Sequence, residues 1–180
     1  MKDRLRSTLI SAFTCVTILV LVTGCDEQIG GYLPASSIST RTGFARNRKQ
    51  ALKMSGKEIK LWGYVDYSNV YADGAGDAVP TDWDQVHSHN LTPDMWRFDL
   101  MIRPDGEAGC GFAVYLRKHE DGKKLFAGFS TNERAGKPSR VYVKGKVFTF
   151  DAPTNLMGLT GLYMESELPN GVLLEHPDTK

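Results

Sequence analysis

The chain has 180 residues and a nearly balanced charge, with 22 basic and 21 acidic residues and a formal net charge of +1. This length suits one folded domain with a short extension. Domains that bind nucleic acid usually carry a clear basic excess, which the overall balance lacks. The charges are unevenly distributed, because basic residues cluster between positions 41 and 60 and acidic residues between positions 73 and 99.

The N-terminus predicts a secretory signal peptide over residues 1–24. Lys2, Arg4 and Arg6 form a positive start, and an apolar run over residues 8–22 follows them. This run is too short to cross a hydrocarbon core of about 30 Å comfortably. We therefore expect the remainder of the chain to lie outside the cytoplasm.

A cysteine follows the apolar run directly, in the stretch Val-Thr-Gly-Cys that ends at Cys25. Its thiol is a nucleophile that accepts a diacylglyceryl group. The segment resembles the lipobox of bacterial lipoproteins. The resemblance implies cleavage before Cys25 and anchoring by acyl chains such as palmitate, whereas the alternative is an ordinary signal with an incidental cysteine. In many Gram-negative lipoproteins an Asp directly after the lipidated cysteine, as Asp26 is here, implies retention in the inner membrane, on its periplasmic face.

Only one cysteine would remain in the folded part of such a lipoprotein. Cys15 would leave with the signal peptide and Cys25 would carry lipid, so Cys110 has no intramolecular partner. Free cysteines are among the most buried residues, and we expect Cys110 to be a small buried apolar residue, with an intermolecular disulfide as the alternative.

Composition divides the rest of the chain into three segments. Residues 25–42 are rich in Gly, Ser and Pro, which predicts a flexible tether with a reach on the order of 20 Å. Residues 43–170 form the predicted domain, and residues 171–180 form a C-terminal tail.

A basic segment at the start of the predicted domain is compatible with a short helix. Residues 44–54 place Phe44, Ala51 and Leu52 on one side of such a helix. Its charges either attract an anionic membrane or form a solvated face of a helix that packs on the domain.

Alternation of apolar and polar residues predicts five β-strands. Residues 57–67 and 140–150 alternate in the same way, and each segment has a central glycine, Gly63 or Gly145. A glycine inside a strand often marks a bulge or a barrel corner. We therefore expect both strands to bend sharply at these glycines.

The other three predicted strands follow the same period. Two of them, residues 96–103 and 110–118, form a hairpin around a turn at Pro104, and the last covers residues 159–168. Residues 122–138 interrupt the alternation and predict a weak helix or a loop.

This order of strands, with its break between the third and the fourth, resembles the oligonucleotide/oligosaccharide-binding barrel, or OB-fold. The stretches IKLWGYV and GKPSRVYVKGKV are similar to the bacterial tRNA-anti-like family and to other small periplasmic OB domains. The resemblance covers residues 57–168. It implies an all-β, five-stranded barrel with a short helix or loop between strands 3 and 4, but no particular function.

The sequence predicts no enzyme. It lacks G-x-S-x-G, the P-loop, H-E-x-x-H and any Cys-x-x-Cys pair, which are the common signals of hydrolases, nucleotide-binding proteins and zinc sites.

A metal site is one alternative function, carried by the stretch DWDQVHSH. Asp82, Asp84, His87 and His89 are all potential ligands, and His with carboxylate suits zinc or copper. The other interpretation is an ordinary hydrated loop whose polar groups are satisfied locally. No other cofactor is expected.

A partner-binding surface is predicted on the strand positions opposite the aliphatic residues. These positions hold aromatic side chains and interleaved lysines: Trp62, Tyr64, Tyr142, Lys144, Lys146, Phe148 and Phe150. Such a face would stack the bases of single-stranded nucleic acid, although the expected compartment makes an envelope protein or peptide the preferred partner. Alternatively, other parts of the chain cover these rings. The sequence thus favours a membrane-anchored periplasmic lipoprotein whose OB-fold is a non-catalytic binding module.

Overall fold

Seven strands and two α-helices make up the computed structural model, which describes residues 28–40, 43–84, 92–105, 111–151 and 158–174. Short 3-10 helices cover Ala35–Ser37 and Thr81–Asp84. In chain order the elements are β1 (Leu33–Pro34), α1 (Arg48–Met54), β2 (Glu58–Tyr71), β3 (Met95–Met101), β4 (Phe112–Arg117), α2 (Glu120–Arg134), β5 (Arg140–Asp151), β6 (Thr160–Ser166) and β7 (Val172–Leu173).

Five of the strands close into a barrel. The pairs β2–β3, β3–β4, β5–β6 and β2–β5 are antiparallel, and β4 pairs with β6 in parallel. The circuit β2-β3-β4-β6-β5 therefore returns to β2. The predicted all-β, OB-like barrel of five strands is confirmed.

The barrel turns its corners at the two predicted glycines. β2 pairs with β5 up to Tyr64 and with β3 from Tyr64 onward, one residue after Gly63. β5 changes its partner from β2 to β6 around Gly145. A Cβ at Gly63 would lie 2.7 Å from the carbonyl oxygen of Met101. Only glycine allows the strands to approach this closely where they change partners.

The segment predicted as a weak helix or a loop is a 15-residue helix, α2. The imidazole of His119 accepts a hydrogen bond from the backbone N–H of Asp121, and the first turn contains two acidic residues, which suits a helix N-terminus. Phe126 packs edge-on against Trp96, with ring centroids 5.3 Å apart. A Cβ at Gly122 would overlap the ring of Trp96, so the missing side chain of Gly122 makes room for that ring.

The predicted flexible tether is wrong for residues 28–40. Leu33 pairs in parallel with Leu61 along an edge of β2. Tyr32, Ala35 and Ile38 are buried, with 6%, 1% and 5% of their surface exposed. These apolar side chains cover barrel surface that would otherwise face water, and this burial offsets the entropy lost by ordering the segment.

The predicted helix near residue 50 is confirmed as α1, which begins later than expected. The side chain of Asn47 caps it by accepting a hydrogen bond from the backbone N–H of Gln50. Ala51 packs on the barrel, but Leu52 is 54% exposed, so its predicted place on the packed side is wrong. Consecutive residues of a helix differ by about 100° in direction, and α1 turns only one of these two inward.

The predicted C-terminal tail begins too early. Val172 and Leu173 form β7, which pairs with Val143 and Tyr142 of β5, and Val172 is 4% exposed. Val172 and Leu173 therefore belong to the folded domain.

None of the helices within the described ranges is long and apolar enough to cross a membrane. Residues 1–24, Cys25, Asp26 and Cys110 lie outside the described residues. The predictions made for them stay predictions.

Candidate functional site

The aromatic residues predicted to form one face lie on two separate parts of the barrel surface. Trp62, Tyr64 and Tyr142 lie where β2 pairs with β5, whereas Phe148 lies where β5 pairs with β6. Gly145 separates these two parts, because β5 changes its partner there. The single predicted face assumed a β5 that keeps one neighbour along its whole length.

Trp62 and Tyr64 belong to the first part, together with an arginine that the sequence interpretation missed. The guanidinium of Arg140 lies 5.3 Å from the ring centroid of Trp62 and 5.5 Å from that of Tyr64. It also donates a hydrogen bond of 3.0 Å to the hydroxyl of Tyr64, and this bond raises the pKa of Arg140. The cation–π contacts hold both half-buried rings against the sheet.

Tyr142 is 2% exposed, which corrects its predicted place on a partner-binding surface. The ring of Tyr32 packs edge-on against it, with centroids 5.3 Å apart, and Leu173 of β7 pairs with its backbone. The ordered N-terminal segment and the C-terminal strand therefore cover this position.

Lys144 lies at the rim of a charged cleft. Its ammonium group is 3.2 Å from a carboxylate oxygen of Glu58. The cleft has a volume of about 500 Å³ and a lining of mixed charge, with Glu58, Arg117, Lys144, Lys146, Glu165 and Glu167. A lining that contains both signs gives little preference for a ligand of either charge.

The second part of the surface carries four neighbouring rings from β4, β5 and β6, which we call the aromatic band: Tyr115, Phe148, Phe150 and Tyr163. Tyr163 is its centre. Phe148 stacks on Tyr163 at 5.3 Å between centroids with 21° between the ring planes, and Tyr115 meets it edge-on at 5.7 Å. Phe150 lies 6.4 Å away, tilted by 42°.

Exposure increases along the band. Tyr115 is 7% exposed, Phe148 and Tyr163 are half-buried, and Phe150 is 46% exposed. The ring of Phe150 lies over Gly161, its cross-strand partner, where a Cβ would overlap the ring. Burial raises the pKa of the Tyr163 hydroxyl, and the charge of Glu165 adds to this effect. The band thus offers apolar ring surface supported by a rigid sheet.

An arginine adjoins the buried end of the band. The guanidinium of Arg97 lies 5.4 Å from the ring centroid of Tyr71 and 5.6 Å from that of Tyr115. Its Nε and Nη2 atoms donate to the two carboxylate oxygens of Asp99 at 2.8 and 3.0 Å. Arg97 therefore fixes Tyr115 from outside the barrel, and its charge is already paired.

Two buried carboxylates stand opposite each other beside this arginine. Asp66 of β2 is the register partner of Asp99, and β2 has a register shift between Asp66 and Val70. Burial raises the pKa of Asp99; Arg97 lowers it, and the charge of Asp66 raises it further. Asp66 accepts hydrogen bonds from the backbone and hydroxyl of Ser68 at 3.1 and 2.6 Å.

The structure covers the predicted metal residues only in part. Asp82 is exposed on a 3-10 helix, while the side chain of Asp84 and all of His87 and His89 lie outside the described residues. Within the described ranges, no group of three or more His, Cys, Asp or Glu residues is placed to hold a metal ion. Trp83 is 3% exposed, so the start of this loop packs on the barrel.

The sequence interpretation missed Tyr115 and Tyr163, although both residues left a signal. Each stands between two buried apolar residues of its strand, so the period of two already places them on the outer face. The predicted surface was drawn from β2 and β5 alone, so it left out the strands that carry Tyr115 and Tyr163.

No family model and no curated protein matches the sequence. Among solved structures, the chain is similar to one described as "OBody AM2EP06 bound to hen egg-white lysozyme". The identity is 16% over 62% of this chain and 78% of the other, with a TM-score of 0.29.

Proposed function

We propose that this chain is a lipoprotein anchored through Cys25 to the periplasmic face of a membrane, and that its barrel is a non-catalytic binding module for an envelope protein or peptide. Asp26 favours the inner membrane. The observation that carries the binding function is the aromatic band, a set of adjoining rings that reaches solvent at Phe150.

The band has the features of a small protein-binding surface. Aromatic side chains are enriched in protein interfaces, because they bury a large area and lose little conformational entropy. Contacts among Phe148, Phe150 and Tyr163 fix the three rings before any partner arrives. Preorganisation of this kind lowers the entropic cost of binding.

The charges around the band favour a protein or peptide over single-stranded nucleic acid. A nucleic-acid groove combines stacking rings with a continuous basic track along the backbone. Here Lys146 lies opposite Glu165 in the β5–β6 register, and Arg97 is paired with Asp99. We therefore expect apolar contact to supply most of the affinity.

The binding function is tested by site-specific photocrosslinking in cells that make the full chain. A photoreactive phenylalanine analogue replaces Phe150, and in the control it replaces the exposed Thr131 of α2. We expect a discrete protein adduct from position 150 only, lost when Tyr163→Ala removes the centre of the band. Equal adducts from both positions would contradict a specific surface, and nucleic-acid adducts that disappear with added salt would indicate the alternative binder.

The lipid anchor is tested separately by mass spectrometry of the N-terminal peptide. We expect acyl chains on Cys25 and their loss in Cys25→Ala, whose chain should then be released from the membrane. An unmodified Cys25 in a membrane-bound chain would contradict the anchor.

The metal alternative is decided by the element content of the same preparation. One equivalent of zinc or copper, lost in His87→Ala with His89→Ala, would favour a metal-binding protein instead.

A further inference from the structure

The ordered N-terminal segment leaves few residues between the proposed lipid and the barrel. Two residues, Asp26 and Glu27, separate Cys25 from Gln28, the first described residue. Three peptide steps span at most about 11 Å. From Ile29 the chain is already held, since Ile29 and Tyr32 exchange backbone hydrogen bonds of 2.8 and 3.0 Å. A lipid on Cys25 would therefore bring this side of the barrel against the membrane.

A basic surface begins at this attachment point. The ammonium group of Lys60 lies 5.5 Å from the ring centroid of Tyr32, and Leu33 beside it is 41% exposed. Lys57, which is also exposed, precedes β2 and directly follows the turn that ends α1. Leu33 pairs with Leu61, and Lys57 is four residues before Leu61, so Lys57 and Leu33 lie within roughly 20 Å of each other.

The basic residues continue along the chain into α1, which ends three residues before Lys57. Lys49, Leu52 and Lys53 are exposed and spaced by three and four residues, which places them on one side of the helix. Ala51, on another side, is buried against the barrel. Residues 43–57 contain five basic residues and no acidic one. Interfacial helices bury apolar side chains such as leucine at the acyl boundary, while their lysines attract anionic lipids.

We propose that α1 docks this barrel on an anionic lipid bilayer, with Leu52 in the interface and Lys49, Lys53 and Lys57 at the lipid phosphates. Charge complementarity and the short link to Cys25 select this occupant. The inference rests on the proposed anchor at Cys25. Docking would fix the orientation of the barrel, whereas a tether of about 15 flexible residues would let it rotate freely.

The test uses the full acylated chain, reconstituted into vesicles of phosphatidylglycerol and phosphatidylethanolamine or of phosphatidylcholine alone. A nitroxide is attached at Leu52→Cys, or at Thr131→Cys on α2 as the control, both in a Cys110→Ala background. Collision with oxygen and with a water-soluble nickel chelate reports the depth of the label. We expect loss of nickel accessibility at position 52 on the anionic vesicles only, while position 131 stays accessible on both.

Charge variants test whether the lysines direct this docking. Lys49→Gln with Lys53→Gln and Lys57→Gln should restore nickel accessibility at position 52. The matched set of Lys123→Gln, Lys124→Gln and Lys137→Gln, which removes three exposed lysines on or just after α2, should not.

The outcomes separate this inference from the proposed function. An acylated chain that floats with the vesicles while position 52 stays as accessible as position 131 would overturn docking and leave the anchor in place. A chain purified without acyl groups would overturn both.

Discussion

Gly145 of β5 lies so close to the carbonyl oxygen of Glu165 in β6 that a Cβ at Gly145 would overlap it. The contact falls where β5 leaves β2 for β6. The same change of partner separates Tyr142, which is covered, from Phe148, which is part of the aromatic band. One close backbone approach thus shapes both the barrel and its outer surface.

Gly145→Ala should destabilise the barrel by about 2–3 kcal/mol, because the atom that blocks the new methyl group is a backbone oxygen and cannot move without a strand shift. Urea denaturation followed by circular dichroism measures the change in the free energy of unfolding. The matched control is Gly128→Ala in α2, where a Cβ would meet only the end of the Leu174 side chain at 2.8 Å. Leu174 can rotate away, and alanine favours a helix over glycine by about 1 kcal/mol. Similar losses in both variants would contradict a specific role for Gly145.

The barrel was predictable from the sequence because its signals are local. The alternation within each strand depends only on neighbouring residues. The bends at Gly63 and Gly145 depend only on the missing side chain of glycine. The aromatic band was only partly predictable, since it needs the neighbours of β4, β5 and β6 to be known. Tyr163 has a plain outward position in its strand, but its three ring contacts exist only after the barrel closes.

The sequence did not predict that residues 28–40 are ordered, for a related reason. A composition rich in Gly and Ser describes the flexibility of an isolated chain, whereas the position of Tyr32 depends on the surface around Tyr142 that receives it. α2 shows the same effect, because Gly122 weakens an isolated helix but permits its packing on Trp96.

Tyr32→Ala should lower the free energy of unfolding by about 2–3 kcal/mol, because it removes a ring that is 6% exposed and packed on Tyr142. Leu33→Ala, at a side chain that is 41% exposed, should change it by less than about 1 kcal/mol. Hydrogen exchange at the amide of Tyr32, which donates to the carbonyl of Ile29, should accelerate in the tyrosine variant. Unchanged stability together with rapid exchange in the unmodified chain would restore the tether interpretation.

The pKa of Asp99 should lie above its ordinary value of 3.8, because burial outweighs the effect of Arg97 and the charge of Asp66 acts in the same direction as burial. Asp66→Asn removes that charge and should lower the pKa of Asp99. Carboxyl chemical shifts followed by NMR across the acid range measure both values. A pKa of Asp99 that does not fall in Asp66→Asn would contradict electrostatic coupling between the two residues.

The raised pKa of Asp99 also makes the stability of the protein depend on pH. Between 3.8 and the raised pKa, the folded chain keeps a proton on Asp99 that the unfolded chain releases. The contribution of Asp99 to stability is therefore complete at pH values below 3.8 and decreases as the pH rises through the folded-state pKa. Asp66→Asn brings the folded-state pKa of Asp99 closer to 3.8, so it narrows the pH range between the two pKa values. As the pH rises through this range, the free energy of unfolding should therefore decrease less in the variant than in the unmodified chain.

Ser130→Ala should stabilise the protein by roughly 0.5–1 kcal/mol. The Ser130 side chain is fully buried in α2, and its hydroxyl has no hydrogen-bond partner among the described residues. Burial of an unpaired hydroxyl costs free energy that alanine does not, and alanine is also the better helix former. Thr131→Ala is the neighbouring control, since its exposed hydroxyl donates to the carbonyl of Ala127 at 2.9 Å and should change stability by less than about 0.5 kcal/mol. Thermal unfolding of the three proteins decides the point: a loss of stability in Ser130→Ala would mean that the Ser130 hydroxyl is hydrogen-bonded in solution.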